Sequence, residues 1–184
     1  MDTAKIVCIG DSITWGFPFG PDYSWVDIAS RDLGIQIINR GINGDTADGL
    51  INRLARDVLA YRPTHVVIMI GSNDARMGVS LKAYGKQVAH IAAQVVKNNI
   101  VPIIGLPVPS GDKWLEYTLV KYRQWLRSFA ASGNIGLLDF SPIMTLPDGT
   151  VNRECYLDGV HPSKAGYQAM AGIFSEFFTL TYQT

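Results

Sequence analysis

Residues 5–12 read KIVCIGDS, a short apolar run that ends in a glycine, an aspartate and a serine. β-Branched residues in an apolar run of this length are typical of a strand that is buried on both faces. The glycine lets the chain turn sharply where such a strand ends. The stretch therefore predicts a strand over Lys5–Ile9, followed by a tight turn that presents Ser12.

Four further runs of the same kind follow along the chain, and longer stretches with helical spacing separate them. The clearest helical stretch covers residues 48–61, and the last helix is predicted over 164–178. Strand alternating with helix through the whole chain predicts a three-layer α/β/α sandwich with right-handed crossovers. The four further predicted strands are Ile35–Asn39, His65–Ile70, Val101–Gly105 and Ile135–Leu138.

The composition favours one folded unit that carries no net charge. The chain has 184 residues, 47% of them hydrophobic, so we expect one domain over residues 1–184. Its 16 basic and 16 acidic side chains cancel. Because no net field attracts nucleic acid or an anionic membrane, a small neutral substrate is the expected partner.

Signals for export, membrane insertion and disulfides are absent from the sequence. The opening residues MDTAKIVCIG lack the features of a secretory signal, so a cytoplasmic location is expected. The apolar runs are shorter than the ~20 residues that span a bilayer, so stable membrane insertion is not expected. Cys8 and Cys155 are expected to be buried free thiols. The sequence carries no signal for a particular oligomeric state.

Residue types suited to nucleophilic catalysis fall on loops at the predicted carboxyl ends of strands, where α/β sheets bind ligands. A serine hydroxyl needs an imidazole to take its proton and a carboxylate to orient that imidazole. Of the three histidines, only His161 lies on such a loop, and Asp158 precedes it by three residues. The spacing lets the carboxylate reach Nδ1, which makes Ser12, His161 and Asp158 the candidate catalytic residues.

The other histidines and one other carboxylate are weaker candidates for the same roles. His65 opens the third predicted strand on the opposite edge of the sheet, and His90 lies within a helix. Asp139 ends the fifth strand and is the one competing partner for the imidazole. Histidines, cysteines and carboxylates nowhere have metal-ligand spacing, so neither a metal nor a cofactor is expected.

Acyl transfer also needs hydrogen-bond donors aimed at the developing oxyanion. Asn73 offers a side-chain amide, Gly44 an unobstructed backbone N–H, and Ser12 its own backbone N–H. These three residues form the predicted oxyanion hole. The simpler interpretation of Asn73 and Gly44 is that both are ordinary turn residues.

Nearby charged residues have structural interpretations. Asp45 precedes a helical run and is interpreted as its cap. Asp11 and Asp74 are expected to hold their own loops by side-chain to backbone hydrogen bonds. Arg53, on the helix after Gly44, is expected to be a solvated or packing residue.

Two aromatic segments are candidates for the walls of a substrate pocket. Residues 15–25 follow Ser12 directly, although Trp25 suits the core equally well. Residues 107–122 begin where the fourth strand ends, so they can border the site as a rim or lid.

Four blocks together resemble the SGNH (GDSL) hydrolase family, and the match spans nearly the whole chain. Ile13 stands where the family name has leucine, which exchanges one apolar residue for another. The resemblance implies a flavodoxin-like fold with a five-stranded parallel sheet. It also implies that Ser12 is nucleophile and oxyanion donor, that Gly44 and Asn73 complete the hole, that His161 is the base and that Asp158 orients it. The blocks are Gly10-Asp11-Ser12-Ile13, Gly44, Gly71-Ser72-Asn73-Asp74 and Asp158-Gly159-Val160-His161.

These features predict a serine esterase or acylhydrolase that cleaves carboxylic esters of small substrates. Transfer of the acyl group to another alcohol, or hydrolysis of a thioester, would use the same residues. A non-catalytic module that binds a small ligand or a carbohydrate is the alternative from a different class. The sequence has no Gly-x-Ser-x-Gly elbow, which argues against the ordinary α/β-hydrolase arrangement.

Overall fold

A single sheet of five parallel strands lies at the centre of the computed structural model, which describes residues 4–182. The strand order across the sheet is β2-β1-β3-β4-β5. All five predicted strands are present, with ends that differ from the prediction by at most two residues. They are β1 (Lys5–Gly10), β2 (Gln36–Gly41), β3 (His65–Met69), β4 (Val101–Gly105) and β5 (Gly136–Leu138).

Helices cover both faces of the sheet, so the predicted three-layer sandwich is confirmed. Helices α2, α7 and α8 pack on one face, and α3, α5 and α6 pack on the other. None of the helices within residues 4–182 combines the length and the apolar character needed to cross a bilayer. The helices are α1 (Ser12–Trp15), α2 (Trp25–Leu33), α3 (Ala47–Asp57), α4 (Ser72–Arg76), α5 (Leu81–Lys97), α6 (Lys113–Gly133), α7 (Ser141–Met144) and α8 (Lys164–Tyr182).

Two of the predicted helices differ from the structure in length. The run predicted as one helix over 48–61 divides into α3 and a 3₁₀ turn, Leu59–Tyr61. The last helix begins at Lys164 as predicted and continues to Tyr182.

Strand β1 shows why the apolar runs are continuous. Ile6 and Cys8 point to the face covered by α2 and α8, whereas Val7 and Ile9 point to the face covered by α3 and α5. Successive side chains of a strand alternate between faces, so a strand with helices on both sides must be apolar at every position. All four side chains are fully buried.

Large aromatic side chains fill the layer between the sheet and α2, α7 and α8. The Trp25 ring centroid lies 5.4 Å from that of Phe140 and 5.4 Å from that of Phe174. Of the two interpretations of Trp25, a pocket wall or a core residue, the core residue is therefore correct.

Cys8 and Cys155 are buried free thiols, as predicted.

The chain reverses its direction across the sheet beside β1. After β1 it crosses to β2 on one side, and after β2 it returns to β3 on the other side of β1. In open α/β sheets a crevice forms at the carboxyl ends of the strands where the order reverses. Ser12 follows β1 as the first residue of α1, and Asn73 follows β3 in the first turn of α4, so both lie at this crevice.

Candidate active site

A tight turn places Ser12 at the carboxyl end of β1. A β-carbon on Gly10 would lie 2.2 Å from Thr14 Oγ1 and 2.4 Å from the Met69 carbonyl oxygen, so only glycine fits there. Asp11 then accepts a hydrogen bond from the Ile13 N–H at 3.0 Å and caps α1, as expected for a residue that holds its own loop. Ser12 is thereby fixed as the first residue of α1.

The structure brings Ser12, His161 and Asp158 together, although 149 positions separate the serine from the histidine. Ser12 Oγ lies 3.2 Å from His161 Nε2, and His161 Nδ1 lies 2.8 Å from Asp158 Oδ2. With the ring proton on Nδ1 donated to the carboxylate, Nε2 is left to accept the serine proton. This is the spatial relation that the sequence predicted.

The backbone of the loop before α8 orients the Asp158 carboxylate for its contact with His161. Asp158 Oδ1 accepts hydrogen bonds from the backbone N–H groups of Val160 at 2.9 Å and His161 at 2.7 Å. Burial raises the pKa of Asp158, but these N–H groups and the His161 ring outweigh it, so the pKa lies below its ordinary value. The carboxylate therefore stays charged beside the imidazole.

Two aromatic residues that the sequence did not assign individually support the imidazole. The Phe17 ring centroid lies 4.6 Å from that of His161. The buried Tyr167, on α8, donates a hydrogen bond from its hydroxyl to the Phe17 carbonyl oxygen at 2.9 Å. Phe17 belongs to the segment predicted to wall the site, whereas Tyr167 is distant in sequence and only the fold reveals it.

The two further oxyanion candidates, Asn73 and Gly44, lie on neighbouring loops. Asn73 lines the same cavity as Ser12 and His161, and its Nδ2 donates to the Asp45 carbonyl oxygen at 2.9 Å. Gly44 is exposed, has a φ of +79° and is not among the residues that line this cavity. A β-carbon on Gly44 would meet nothing within 4 Å, so the backbone conformation, not crowding, favours glycine there.

The competing assignments do not reach the imidazole. Asp139 Oδ2 accepts from Arg127 at 2.7 Å and its Oδ1 accepts from the Ser141 N–H at 2.9 Å. His65 packs against the aromatic rings of α8 at the start of β3, and His90 is exposed on α5.

Two of the structural interpretations of carboxylates need correction. Thr46, not Asp45, caps α3, because the Thr46 hydroxyl accepts from the Gly49 N–H. Asp74 does not hold its own loop alone, since its carboxylate accepts the Ala47 N–H of the neighbouring loop at 3.0 and 3.3 Å.

Arg53 is buried rather than solvated, with 7% of its surface exposed. The alternative that Arg53 packs inside the protein is the correct one, and its contacts are polar.

A cavity of about 430 Å³ contains the three candidate catalytic side chains. Its remaining wall includes Arg76 at the end of α4 and Asp112, whose carboxylate caps α6 by accepting from the Trp114 and Leu115 N–H groups. Residues 107–122 thus border the site through Asp112, while Trp114 is 89% exposed. The cavity is open and polar, which suits attack on a small ester.

A wider groove of about 770 Å³ lies beside this cavity. Residues 109–116 and 146–154 contribute its walls, and none of the candidate catalytic residues lines it. Within residues 4–182, no three histidine, cysteine or carboxylate side chains group as metal ligands.

Comparison with known proteins matches residues 8–169 to the GDSL-like Lipase/Acylhydrolase family. Esterase TesA of Pseudomonas aeruginosa is 24% identical over 168 residues, which cover 87% of this chain and 80% of TesA. A lipolytic protein of the G-D-S-L family from Desulfitobacterium hafniense has a similar structure, with a TM-score of 0.90 and 31% identity over 95% of this chain and 99% of that one.

An acetylxylan esterase from Geobacillus stearothermophilus, Axe2, is also similar, with a TM-score of 0.78 and 26% identity over 95% of this chain and 93% of that one. The family match, the shared fold and the esterases among these relatives agree with one another. This chain belongs to the GDSL-like lipase/acylhydrolase family and is a carboxylic ester hydrolase.

Proposed function

We propose that the protein hydrolyses carboxylic esters of small substrates through an acyl-enzyme on Ser12, with His161 as base and Asp158 as the residue that orients it. The observation that carries this proposal is the chain of contacts from Ser12 Oγ to His161 Nε2, at 3.2 Å, and from His161 Nδ1 to Asp158 Oδ2, at 2.8 Å. Family membership supports the reaction class, and the open cavity of about 430 Å³ supports a small substrate.

The first half of the reaction forms the acyl-enzyme. Ser12 Oγ attacks the ester carbonyl carbon while His161 Nε2 takes the hydroxyl proton. The tetrahedral intermediate then collapses, the bond to the leaving oxygen breaks, and His161 returns the proton to the departing alcohol. The Asp158 carboxylate stabilises the imidazolium that exists between these two transfers.

Water completes the cycle by the same route. His161 deprotonates a water molecule, which attacks the acyl carbon and releases the carboxylic acid and Ser12. The negative oxygen of both tetrahedral intermediates needs donors, and Ser12 N–H, Gly44 N–H and Asn73 Nδ2 are the groups that we assign to it. Removal of one such donor costs roughly 10²–10³ in kcat.

Replacement of the nucleophile tests the proposal. Ser12→Ala removes the attacking oxygen and keeps the buried backbone, so the variant should fold and lose turnover of p-nitrophenyl acetate to the background rate. Circular dichroism and thermal unfolding check the fold. Undiminished turnover in a folded Ser12→Ala protein would reject the proposal.

The orienting carboxylate offers a matched pair of variants. Asp158→Ala should lower kcat by about 10²–10⁴, because the imidazole loses its preferred tautomer and the counter-charge for its protonated form. Asp139→Ala removes the competing carboxylate at the end of β5 and should leave kcat within about twofold, since Asp139 contacts Arg127 instead. Equal losses in the two variants would contradict the assignment of Asp158.

A further inference from the structure

All three nitrogens of the buried Arg53 guanidinium donate hydrogen bonds. Its Nε donates to Asp45 Oδ2 at 2.7 Å, and its Nη2 donates to the Gly10 carbonyl oxygen at 2.9 Å. Its Nη1 donates to the Arg40 carbonyl oxygen at 2.8 Å and to Asp57 Oδ2 at 3.1 Å. Burial of a guanidinium costs desolvation energy that only such a set of contacts offsets. The position therefore specifies arginine for its planar, forked geometry and not only for its charge.

Three of the four acceptors of Arg53, on Gly10, Arg40 and Asp45, lie at the carboxyl edge of the sheet, next to the candidate site. Gly10 is the last residue of β1 and stands two positions before Ser12, while Arg40 is near the end of β2. Asp45 follows Gly44 directly. One rigid guanidinium thus joins the segment that carries the Ser12 N–H to the segment that carries the Gly44 N–H.

Asp45 extends this connection to the third oxyanion candidate. Its carboxylate is held by Arg53 Nε and by the Thr46 N–H at 2.9 Å, while its backbone carbonyl accepts the Asn73 amide at 2.9 Å. An amide nitrogen carries two hydrogens, so the one bound to Asp45 leaves the other for the cavity that Asn73 lines. The rotation of the Asn73 amide therefore depends on where the Asp45 carbonyl lies.

We propose that Arg53 and Asp45 are positioning residues for the oxyanion hole: the guanidinium fixes the Asp45 loop against the ends of β1 and β2, and the Asp45 carbonyl then orients the Asn73 amide. The inference rests on the proposed function, because it assumes that the oxyanion forms between Ser12, Gly44 and Asn73. Preorganised donors stabilise developing charge without reorganising during the reaction, so loosening their support lowers kcat. Ground-state binding of the neutral ester changes little.

The two carboxylates that bind Arg53 provide a matched pair of variants. Asp45→Ala frees the loop that carries the Asn73 acceptor and should lower kcat for p-nitrophenyl acetate about 10-fold to 100-fold, with KM within about threefold. Asp57→Ala removes the other carboxylate but leaves the Asp45 loop bound, so its kcat should stay within about twofold although its thermal stability falls. A merely structural role would move stability in both variants and kcat in neither.

Two further measurements separate positioning from general damage. Asp45→Asn keeps the size of the side chain and one of its two acceptor oxygens, which can still accept from Arg53 Nε, so it should restore part of the lost kcat. A phenylboronic acid that adds to Ser12 places an oxygen in the oxyanion hole, so its inhibition constant should rise in Asp45→Ala in parallel with the loss of kcat. Unchanged boronate inhibition beside a lowered kcat would overturn the proposal.

The outcomes also separate this inference from the proposed function. Ser12→Ala, measured beside these variants, tests the nucleophile alone, and its full activity would reject both proposals. If Ser12→Ala is inactive while folded Asp45→Ala keeps the kcat of Asp57→Ala, the positioning role is wrong and the proposed function stands. If Asp45→Ala does not fold, Arg53→Lys decides. Its single ammonium cannot serve all these acceptors, so kcat should fall at least 10-fold, and an unchanged kcat would overturn the inference.

Discussion

Asp11 stands directly before the candidate nucleophile and is 2% exposed. Burial, reinforced by the charges of Asp74 and Asp45, raises the pKa of Asp11 to about 7, even though the Ile13 N–H bonds to it. The sequence predicted that the Asp11 side chain bonds to the backbone of its own loop, because an aspartate before a helix commonly does so, and the structure identifies the donor as the Ile13 N–H. The raised pKa depends first on burial and then on carboxylates from two other loops, and only the folded sheet provides both.

The raised pKa predicts a loss of stability with rising pH. The folded protein holds the Asp11 proton up to about pH 7, whereas the unfolded chain releases it near the ordinary value of 3.8. The unfolding free energy therefore falls between these two pH values as pH rises, and it stays low above pH 7. Asp11→Asn keeps an acceptor for the Ile13 N–H but cannot ionise, so its stability relative to the wild type should improve by on the order of 3 kcal/mol between pH 4 and pH 8. Urea unfolding at both pH values measures this difference, and parallel pH profiles would contradict it.

At the scale of elements, the sequence predicted the strands well because their signal is local. Each side chain from Ile6 to Ile9 of β1 is buried against a helix layer, so its burial appears directly as an unbroken apolar run. The end of α3 was harder to predict than the strands. The burial of Arg53 was also harder to predict, because a charged residue on a helix usually faces solvent. Two of the groups that bind Arg53 are the backbone carbonyls of Gly10 and Arg40, and a backbone carbonyl leaves no signal in the sequence.

Strand β2 and helix α1 pack closely against each other at Gly41. A β-carbon on Gly41 would lie 2.2 Å from the Trp15 backbone nitrogen and 2.7 Å from the Thr14 carbonyl carbon. Because these are backbone atoms, Gly41→Ala must displace α1 and with it Ser12. We expect a loss of about 1–3 kcal/mol in unfolding free energy and a fall in kcat of at least 10-fold.

Gly172 provides the control for Gly41. It is exposed on α8, and a β-carbon there would meet no atom within 4 Å. Gly172→Ala should stabilise the helix by up to about 1 kcal/mol and leave kcat unchanged. Denaturant unfolding and p-nitrophenyl acetate kinetics measure both variants. Wild-type activity in Gly41→Ala would show that α1 tolerates displacement.

On the scale of the whole molecule, the two edges of the sheet have separate roles. The carboxyl edge carries the loops of Ser12, Asn73 and His161, which the fold brings together from distant parts of the chain. The amino edge carries the two ends of the described chain. Ile6 of β1 pairs with His65, and the His65 ring centroid lies 4.7 Å from that of Tyr182 near the end of α8. The first and last of the described residues are therefore close to each other and remote from the site.

This arrangement predicts that the chain tolerates circular permutation at the amino edge. A flexible linker of about eight residues should join Tyr182 to Ala4, with new ends opened between Asn98 and Asn99 in the exposed turn before β4. The permutant should fold with reduced stability and keep kcat within about threefold, because every contact of Ser12 and His161 remains. Opening the same joined chain between Gly159 and Val160 should lower kcat by at least 100-fold, since that loop holds Asp158 beside the imidazole. Circular dichroism and ester turnover of both permutants decide the matter: a folded but inactive first permutant would show that the amino edge also contributes to the site.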